Sequence, residues 1–561
     1  MKLQFHSTRK GLRVKEPGIK SRIIAAPIVV RAFAFLEDER RYEAQIIFWD
    51  IDGNRVELFK PLSLLSKTKQ MTDLLRDKGY PYPRDPGDQK LLHEYIATSE
   101  PKRRLKTTRR TGWKGTSFVL PGACYKGNES EAVLVPLSRV LTYPTKDGSL
   151  KKWKRQVAVP AAHSSRLVFS ICFALAAPGL KLTDVESGGI HLTSSSSHGK
   201  STTLKVAESV FGFSAHKKLI TWDATVTGLE ETVASRCDLF MGLDELARFA
   251  PNDIALASKA RDVAYRLASE MPRIRSTGFG DNTVIEDWRI LFLSSGEQGL
   301  SEIALAAGQK RHQGEEVRLI DLPADVHECN GIFETTPKGL STITLAENIT
   351  AAAQTNHGVA GRKYLRKLVS EIEGSTSALL SSMEEFMKVA NVPQLGWEWR
   401  FAKRFALSYA SGILAAKFKV VPWTKKIIRE ANLKCYFDAR RAVLDFEGLM
   451  NSVSSEIRGK ANNKSLIRDL RKNADNSSRP SVSDAEGFIK HDKHGTYVAV
   501  HRGILQKWIG ERLPVDAVVN KLEQDGHLVI SSRGIPTRQI LIKGIEGKQR
   551  YICLKQSFLE L

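Results

Sequence analysis

The period of apolar and polar positions changes along the chain and divides it into regions. Near the N-terminus, residues 23–35 (IIAAPIVVRAFAF) and 42–59 (YEAQIIFWDIDGNRVELF) are rich in β-branched and aromatic residues and predict strands. The Asp52-Gly53-Asn54 turn predicts that the second run folds back as a hairpin. Residues 63–80 predict a helix stopped by Gly79, and 91–100 another. From about 156 to 345, helix, strand and glycine- or serine-rich loop alternate, which predicts an α/β unit on a parallel sheet. From 346 to 450 the period is helical throughout. Residues 451–483 are polar and basic and predict a linker, and 484–561 predict a small helix-turn-hairpin module of winged-helix type. The longest apolar run, Leu167 to Leu180, contains Pro178 and is too short to span a bilayer, so it predicts a buried helix.

Composition sharpens this only in charge. With 85 Lys+Arg against 62 Asp+Glu, the net charge of +23 points to a polyanionic partner, because basic side chains release counterions from phosphates. Apolar residues make up 42% of the chain, which excludes wholesale disorder. The six cysteines show no CxxC spacing, so neither a zinc ribbon nor a disulfide framework is expected, in keeping with a reducing cytoplasm. No apolar signal segment opens the chain, and no membrane association is expected.

The most informative segment is 188–212, GGIHLTSSSSHGKSTTLKVAESVFG. It reads as strand, loop and helix, the order a phosphate-binding loop needs. Backbone N–H groups and a helix N-terminus face the phosphates, a lysine reaches the β- and γ-phosphates, and a hydroxyl meets Mg²⁺. Ser195, Ser196, Ser197, His198, Gly199, Lys200, Ser201 and Thr202 are the candidate ATP-binding residues, with Ser201 also a metal ligand. The pattern calls for glycine at 194, where this chain has Ser194. At a positive φ that residue would cost about 1–2 kcal/mol.

A second strand, LFMGLDE, ends in Asp244 and Glu245. These are candidates to hold Mg²⁺ and to orient or deprotonate the attacking water. A third strand, WRILFLSSGE, ends in Ser294 and Ser295, either of which could touch the γ-phosphate and the water. Phosphoryl transfer also needs positive charge in the transition state. Arg318 is the first candidate with Arg311 in reserve, and Arg400 or Arg404 could contact nucleotide from the helical region. For nucleic acid, the basic run Lys102, Arg103, Arg104, Lys106, Arg109 and Arg110 is one candidate surface. A turn carrying Arg273 and Arg275 is another.

Seven segments together resemble a family of AAA+ ATPases from bacterial mobile elements, long catalogued as a domain of unknown function and often found after primase-type domains. They are GWKGTSFVLPG, HLTSSSSHGKSTTLK, LFMGLDEL, WRILFLSSGE, GEEVRLIDLP, NHGVAGRKYL and KRFALSYASGILA. The chain is also similar to the cassette-chromosome helicases of staphylococci, whose motor is MCM-like. The resemblance implies an AAA+ P-loop core (156–345) with a parallel sheet and a helical lid (346–450). A β-rich N-terminal collar (1–155) and a winged-helix-like domain (484–561) would flank them. It further implies a homo-hexamer that hydrolyses ATP with Mg²⁺ and moves on DNA, single-stranded in a central channel or as duplex or fork, in replication of a mobile element. Lys200, Ser201, Asp244, Glu245 and Ser294 or Ser295 would form one face of the ATP site, with Arg318 and Arg404 arriving from the adjacent subunit. A DNA-bound ATPase switch without unwinding activity is the alternative, and a nucleic-acid-binding scaffold with an inactive nucleotide site is a third.

Overall fold

The computed structural model describes the chain except residues 1–2, 16–19, 109, 127–132, 135–143, 195–198, 214–218, 251, 271–286, 308, 310, 327–330, 395, 472–473, 511–514, 532–533 and 561. At 38, 253, 313, 444–449 and 517 it describes the backbone alone.

The N-terminal region is β-rich, as its period predicts, but the helix expected over 63–80 is broken at Ser66–Lys67 into a short turn of helix, Leu62–Leu65, and a longer one. Ile28–Leu36, Arg41–Trp49 and Arg55–Pro61 form an antiparallel meander, extended by Arg104–Thr107 and Val133–Leu134. The hairpin turn is held by Asp50, whose Oδ1 accepts from the backbone N–H groups of Asp52 and Asn54 at 3.0 and 2.7 Å. The longer helices are Thr68–Asp77 and Pro86–Thr98, and the first gives way to Gly79 at φ +73°. A separate three-stranded sheet, Gly112–Lys114, Ser117–Leu120 and Ala123–Tyr125, lies between this region and the core.

The core is a five-stranded, wholly parallel sheet. Its strands are β1 (Gly188–Thr193), β2 (Ile220–Thr221), β3 (Leu239–Asp244), β4 (Ile290–Gly296) and β5 (Leu319–Pro323). Their spatial order is β2-β3-β4-β1-β5. The chain therefore leaves β1, crosses to the far edge, returns strand by strand, and passes β1 to add β5. The crevice at the carboxyl ends of the strands, beside the point where that order reverses, is where open α/β sheets bind ligands.

Helices cover the sheet. All twelve residues of α1 (Ser165–Ala176) are buried, and a turn through Pro178 carries the helical run on to Thr183. The run Ser165–Thr183 is thus long and apolar enough, at a mean hydropathy of 1.4, to cross a membrane by length and composition. It is longer than the apolar stretch suggests, but 83% of it is buried inside the fold and it serves as the core helix. Phe169 of α1 stacks on Phe405 of α3 (Trp397–Lys417) at 5.4 Å. Helix α2 (Lys200–Ser209) follows β1, and α4 (Lys425–Asn462) closes the helical region.

The linker expected at 451–483 is corrected by α4, which runs 38 residues through the start of that segment. Met450, Val453, Ile457 and Ala461 recur on one face and are buried against the C-terminal module. The charged residues between them hide that stripe in the sequence. The remainder contributes the strand Ile467–Asp469 to a five-stranded C-terminal sheet with Gly487–Asp492, Gly495–His501, Lys548–Lys555 and Arg538–Leu541. Helices Arg502–Ile509 and Val515–Gln524 pack with it. Asn520 donates to the carbonyls of Leu305 and Ala306 at 3.2 and 3.5 Å, at the end of the short helix Leu300–Ala306 that follows β4.

Candidate functional site

Three strands of the sheet deliver polar groups to one place at their carboxyl ends. β1 runs into the loop that ends at Gly199 (φ +92°), and α2 begins at Lys200. A left-handed backbone is cheap only for glycine. A Cβ at 199 would also lie 2.8 Å from Ile332, so both constraints fix glycine there. The Lys200 amine donates to the Ser194 carbonyl at 2.6 Å and to its Oγ at 3.1 Å. Burial lowers the amine's proton affinity, and the carboxylates of Glu297, Asp325 and Asp244 oppose that. The left-handed non-glycine residues among those described are Arg40, Asp184, Asp238, Glu245, Glu270, Asn391 and Lys419. Ser194 is not one of them, so the strain that a missing glycine would bring does not arise.

Ser201, in the first turn of α2, donates to Asp244 Oδ1 and Oδ2 at 3.3 and 3.1 Å. Ser295 Oγ also donates to Asp244 Oδ1, and it accepts from the Glu245 backbone N–H at 3.1 Å. Asp244 thus gathers hydroxyls from two neighbouring elements. Glu245 is held at φ +58°, a conformation that costs a non-glycine residue about 1–3 kcal/mol, and its exposed carboxylate pairs with Arg248. Thr202 is half-buried in the first turn of α2.

Of the two serines ending β4, it is Ser295 that meets the acidic end of β3. Ser294 is fully buried and belongs to a different chain of bonds. His191 Nε2 faces the Gln298 carbonyl at 3.1 Å, an acceptor only, so Nε2 carries the proton and Nδ1 accepts. Ser294 donates to that Nδ1 at 2.8 Å, and Trp222 Nε1 donates to Ser294 Oγ at 2.9 Å. Burial keeps His191 neutral by lowering its pKa from the usual 6.5. The sequence reading missed His191 and Trp222, which carry no motif. It also missed Glu297 and Asp325, whose only signal is an acid shortly after a strand's last residue.

The arginines lie elsewhere. Arg318 precedes β5 at the amino end of the sheet, donates to the Gly314 carbonyl at 2.6 Å and stacks over Tyr265 at 4.5 Å. Its position is separated from the Lys200 end by the length of β5, about 16 Å at 3.3 Å per residue. Arg404, expected to reach a nucleotide from the lid, is instead 2% exposed. Its guanidinium donates to the carbonyls of Ser187 (2.7 Å), Glu186 (3.3 Å) and Val317, and burial lowers its pKa to about 10. The small Gly188 makes room for it, since a Cβ there would sit 2.5 Å from the guanidinium. Arg400 is exposed and pairs with Glu186 at 2.8 Å. Arg311 is buried on Asp321 at 3.0 Å.

The basic run near residue 104 divides. Lys102, Arg103 and Arg104 are exposed, with Arg104 over the Phe33 ring at 5.1 Å. Lys106 lies 3.6 Å from Glu37. Arg110 turns inward to Asp287 and to the Cys237 thiol at 3.4 Å. Ser195, Ser196, Ser197, His198, Arg109, Arg273 and Arg275 lie outside the described residues. Among the described residues no group of three or more His, Cys, Asp or Glu could hold a metal on its own.

Residues 4–283 match the profile of a family described as a domain of unknown function, DUF927. That stretch of the chain belongs to this family. Among solved structures, the SCCmec type IV Cch active helicase matches at a TM-score of 0.62 and 17% identity, over 99% of each chain. At that identity the likeness establishes a shared fold across the full length. The C-terminal region of NrS-1, in its A-form apo structure, covers 72% of this chain and 91% of its own at 12% identity. Its TM-score of 0.26 is too low to bear on the fold. No curated protein matches the sequence.

Proposed function

We propose that the chain is an ATP-hydrolysing motor of AAA+ type that moves on DNA, a helicase or translocase serving a mobile element. One observation carries the reading. Lys200, Ser201, Asp244 and Ser295 converge from β1/α2, β3 and β4 at the sheet's reversal point, in the arrangement phosphoryl transfer requires. The shared fold with a helicase and the +23 net charge support the polymer as partner.

In this reading the first N–H groups of α2 and the Lys200 amine bind the phosphates of ATP. Ser201 and Asp244 offer a hydroxyl and a carboxylate, a hard oxygen set of the kind Mg²⁺ takes, and would hold it. Bound there, Mg²⁺ would neutralise charge on the β- and γ-phosphate oxygens. Ser295 fixes the orientation of Asp244. Glu245 orients the attacking water once its carboxylate leaves Arg248. Arg318 is too far from its own chain's Lys200 to touch the same nucleotide, so in this reading its role requires a neighbouring subunit whose site it serves. The buried Arg404 is left out of that role.

The test is ATP hydrolysis stimulated by DNA, with strand displacement measured beside it. Turnover that survives both Lys200→Ala and Glu245→Gln would overturn the site. Hydrolysis and tight DNA binding without displacement would instead identify a DNA-bound switch.

A further inference from the structure

Two cavities outside the nucleotide cleft contain clusters of cations, and they differ in one respect. The cavity of about 470 Å³ at the amino end of the sheet sets Lys181, Arg289, Arg400, Lys403 and Arg404 among Asp184, Glu186 and Glu270, so three carboxylates offset part of the charge of its five cations. The second, about 680 Å³, is lined by Tyr125, Lys146, Arg362, Lys363 and Arg366, with Cys124 at its wall, and no carboxylate lines it among the described residues. Asp147, next to the wall, turns its Oδ1 onto the Gly148 N–H at 2.6 Å.

The walls come from three places in the chain: the strand Ala123–Tyr125, the turn at Lys146–Leu150 and the helix Val359–Ser370. On that helix Arg362 and Arg366 stand one turn apart, with Lys363 beside them. The helix starts at Gly358 without a side-chain cap. Arg362 Nε is buried and has no hydrogen-bond partner. Burial raises the Tyr125 phenol's pKa, and the neighbouring guanidiniums of Arg362 and Arg366 oppose it. The exposed Lys151 and Lys152 continue the basic surface past Ser149. Four cations around one concave surface, with no carboxylate among the described residues that line it, repel one another unless an anion joins them.

The cavity is separate from the nucleotide cleft. Gly358 N–H donates to the Ser209 carbonyl at 2.8 Å, which places this helix at the far end of α2 from Lys200. Ten residues of α2 separate the two, about 15 Å.

We propose that this cavity is a second phosphate site, which takes consecutive phosphodiester groups of a nucleic-acid strand rather than a nucleotide. The identity of the polymer rests on the DNA reading above, whereas the cavity's charge does not. Arg362 and Arg366 supply planar forks that pair with phosphate oxygens, and Lys146 and Lys363 supply point charges along the same path.

The test uses the full-length protein and a poly-dT oligonucleotide. Each phosphate contact contributes roughly 0.7 to the slope of log affinity against log salt on a single strand. The Arg362→Ala/Lys363→Ala/Arg366→Ala variant should lower that slope by about 2. The milder Lys363→Ala/Arg366→Ala pair, which spares the part-buried Arg362, should lower it by about 1.4, at roughly 0.7 per contact. Cys124 is half-buried in the wall, whereas Cys172, Cys237, Cys435 and Cys553 are buried. Bound oligonucleotide should therefore slow Cys124 alkylation several-fold, read by peptide mass mapping. If the wild type binds the oligonucleotide, yet the slope and the Cys124 rate stay unchanged, the cavity assignment is overturned and the motor reading stands. If the wild type hydrolyses ATP but binds no oligonucleotide at any salt concentration, the DNA reading itself fails. Equal protection of Cys124 by inorganic phosphate at matched phosphate concentration would replace the polymer with a small anion.

Discussion

The two ends of the parallel sheet are built from the same residue types and behave as opposites. At the amino end Arg404 is enclosed by three carbonyls, and Asp238 accepts from Arg289 at 2.6 and 3.1 Å and from the Trp113 N–H at 2.9 Å. Glu270 accepts from the Ser187 N–H and Oγ at 3.0 and 2.8 Å. Arg404 and Asp238 are buried, Arg289 and Glu270 half-buried, and each is held by hydrogen bonds to fixed partners. At the carboxyl end Lys200, Ser201, Asp244 and Glu245 are half-exposed or exposed, and Glu245 sits in a strained backbone conformation. The amino end is mortar, joining the sheet to the N-terminal region through Gly112 and Trp113. The carboxyl end keeps its charges accessible. What separates Arg404 from Lys200 here is burial, which residue identity does not encode.

Substitutions at the two ends should therefore read out differently. Lys200→Ala is expected to reduce ATP turnover by on the order of 10³, about 4 kcal/mol of transition-state stabilisation, while the melting temperature barely moves. Steady-state hydrolysis beside a thermal scan checks it, and an unfolded variant would erase the contrast. Asp238→Ala should do the reverse. It leaves Arg289 and the Trp113 N–H unpaired and is expected to cost about 3 kcal/mol in stability, measured by denaturant unfolding.

Ser295→Ala should slow hydrolysis roughly tenfold, about 1.4 kcal/mol, by releasing Asp244. Ser294→Ala should instead lower stability and leave turnover within about threefold, since it breaks the Trp222–His191 chain. Equal kinetic effects of the two would merge the roles assigned to them. The smallest effect concerns pH. His191 has a lowered pKa in the folded protein, so below the usual 6.5 the unfolded chain binds a proton that the folded one refuses. Stability should fall as pH drops below 6.5, down to the lowered folded value, and His191→Gln should flatten that slope in paired unfolding curves.

Much of the fold is legible in the sequence. The 3.6 and 2 periods locate β1, β3, β4, α2 and α3: glycine bounds β1, β4 and α2, an acidic pair ends β3, and α3 is long. The linker is not legible, since the apolar stripe of α4 is diluted by charged neighbours across 451–462. The site is legible where a motif ties chemistry to a turn, as at Gly199-Lys200-Ser201 and Asp244-Glu245. It is not legible where two like residues adjoin. Ser294 and Ser295 differ only in which face of β4 they occupy, and that depends on strand pairing with β1, where Ser294 opposes His191. Arg404 could not be separated from Arg400 for the same reason, since one turn of helix puts the first in the core and the second in water.

The seat of Asn520 on the carbonyls of Leu305 and Ala306 gives the tail a mechanical meaning. The helix it grips is separated by three residues from the end of the strand that bears Ser295, and Leu305 sits in the tail's own apolar cluster. The C-terminal module therefore braces the helix that follows β4, and removing it would leave those carbonyls and the buried Leu305 without their cover rather than trim an appendage.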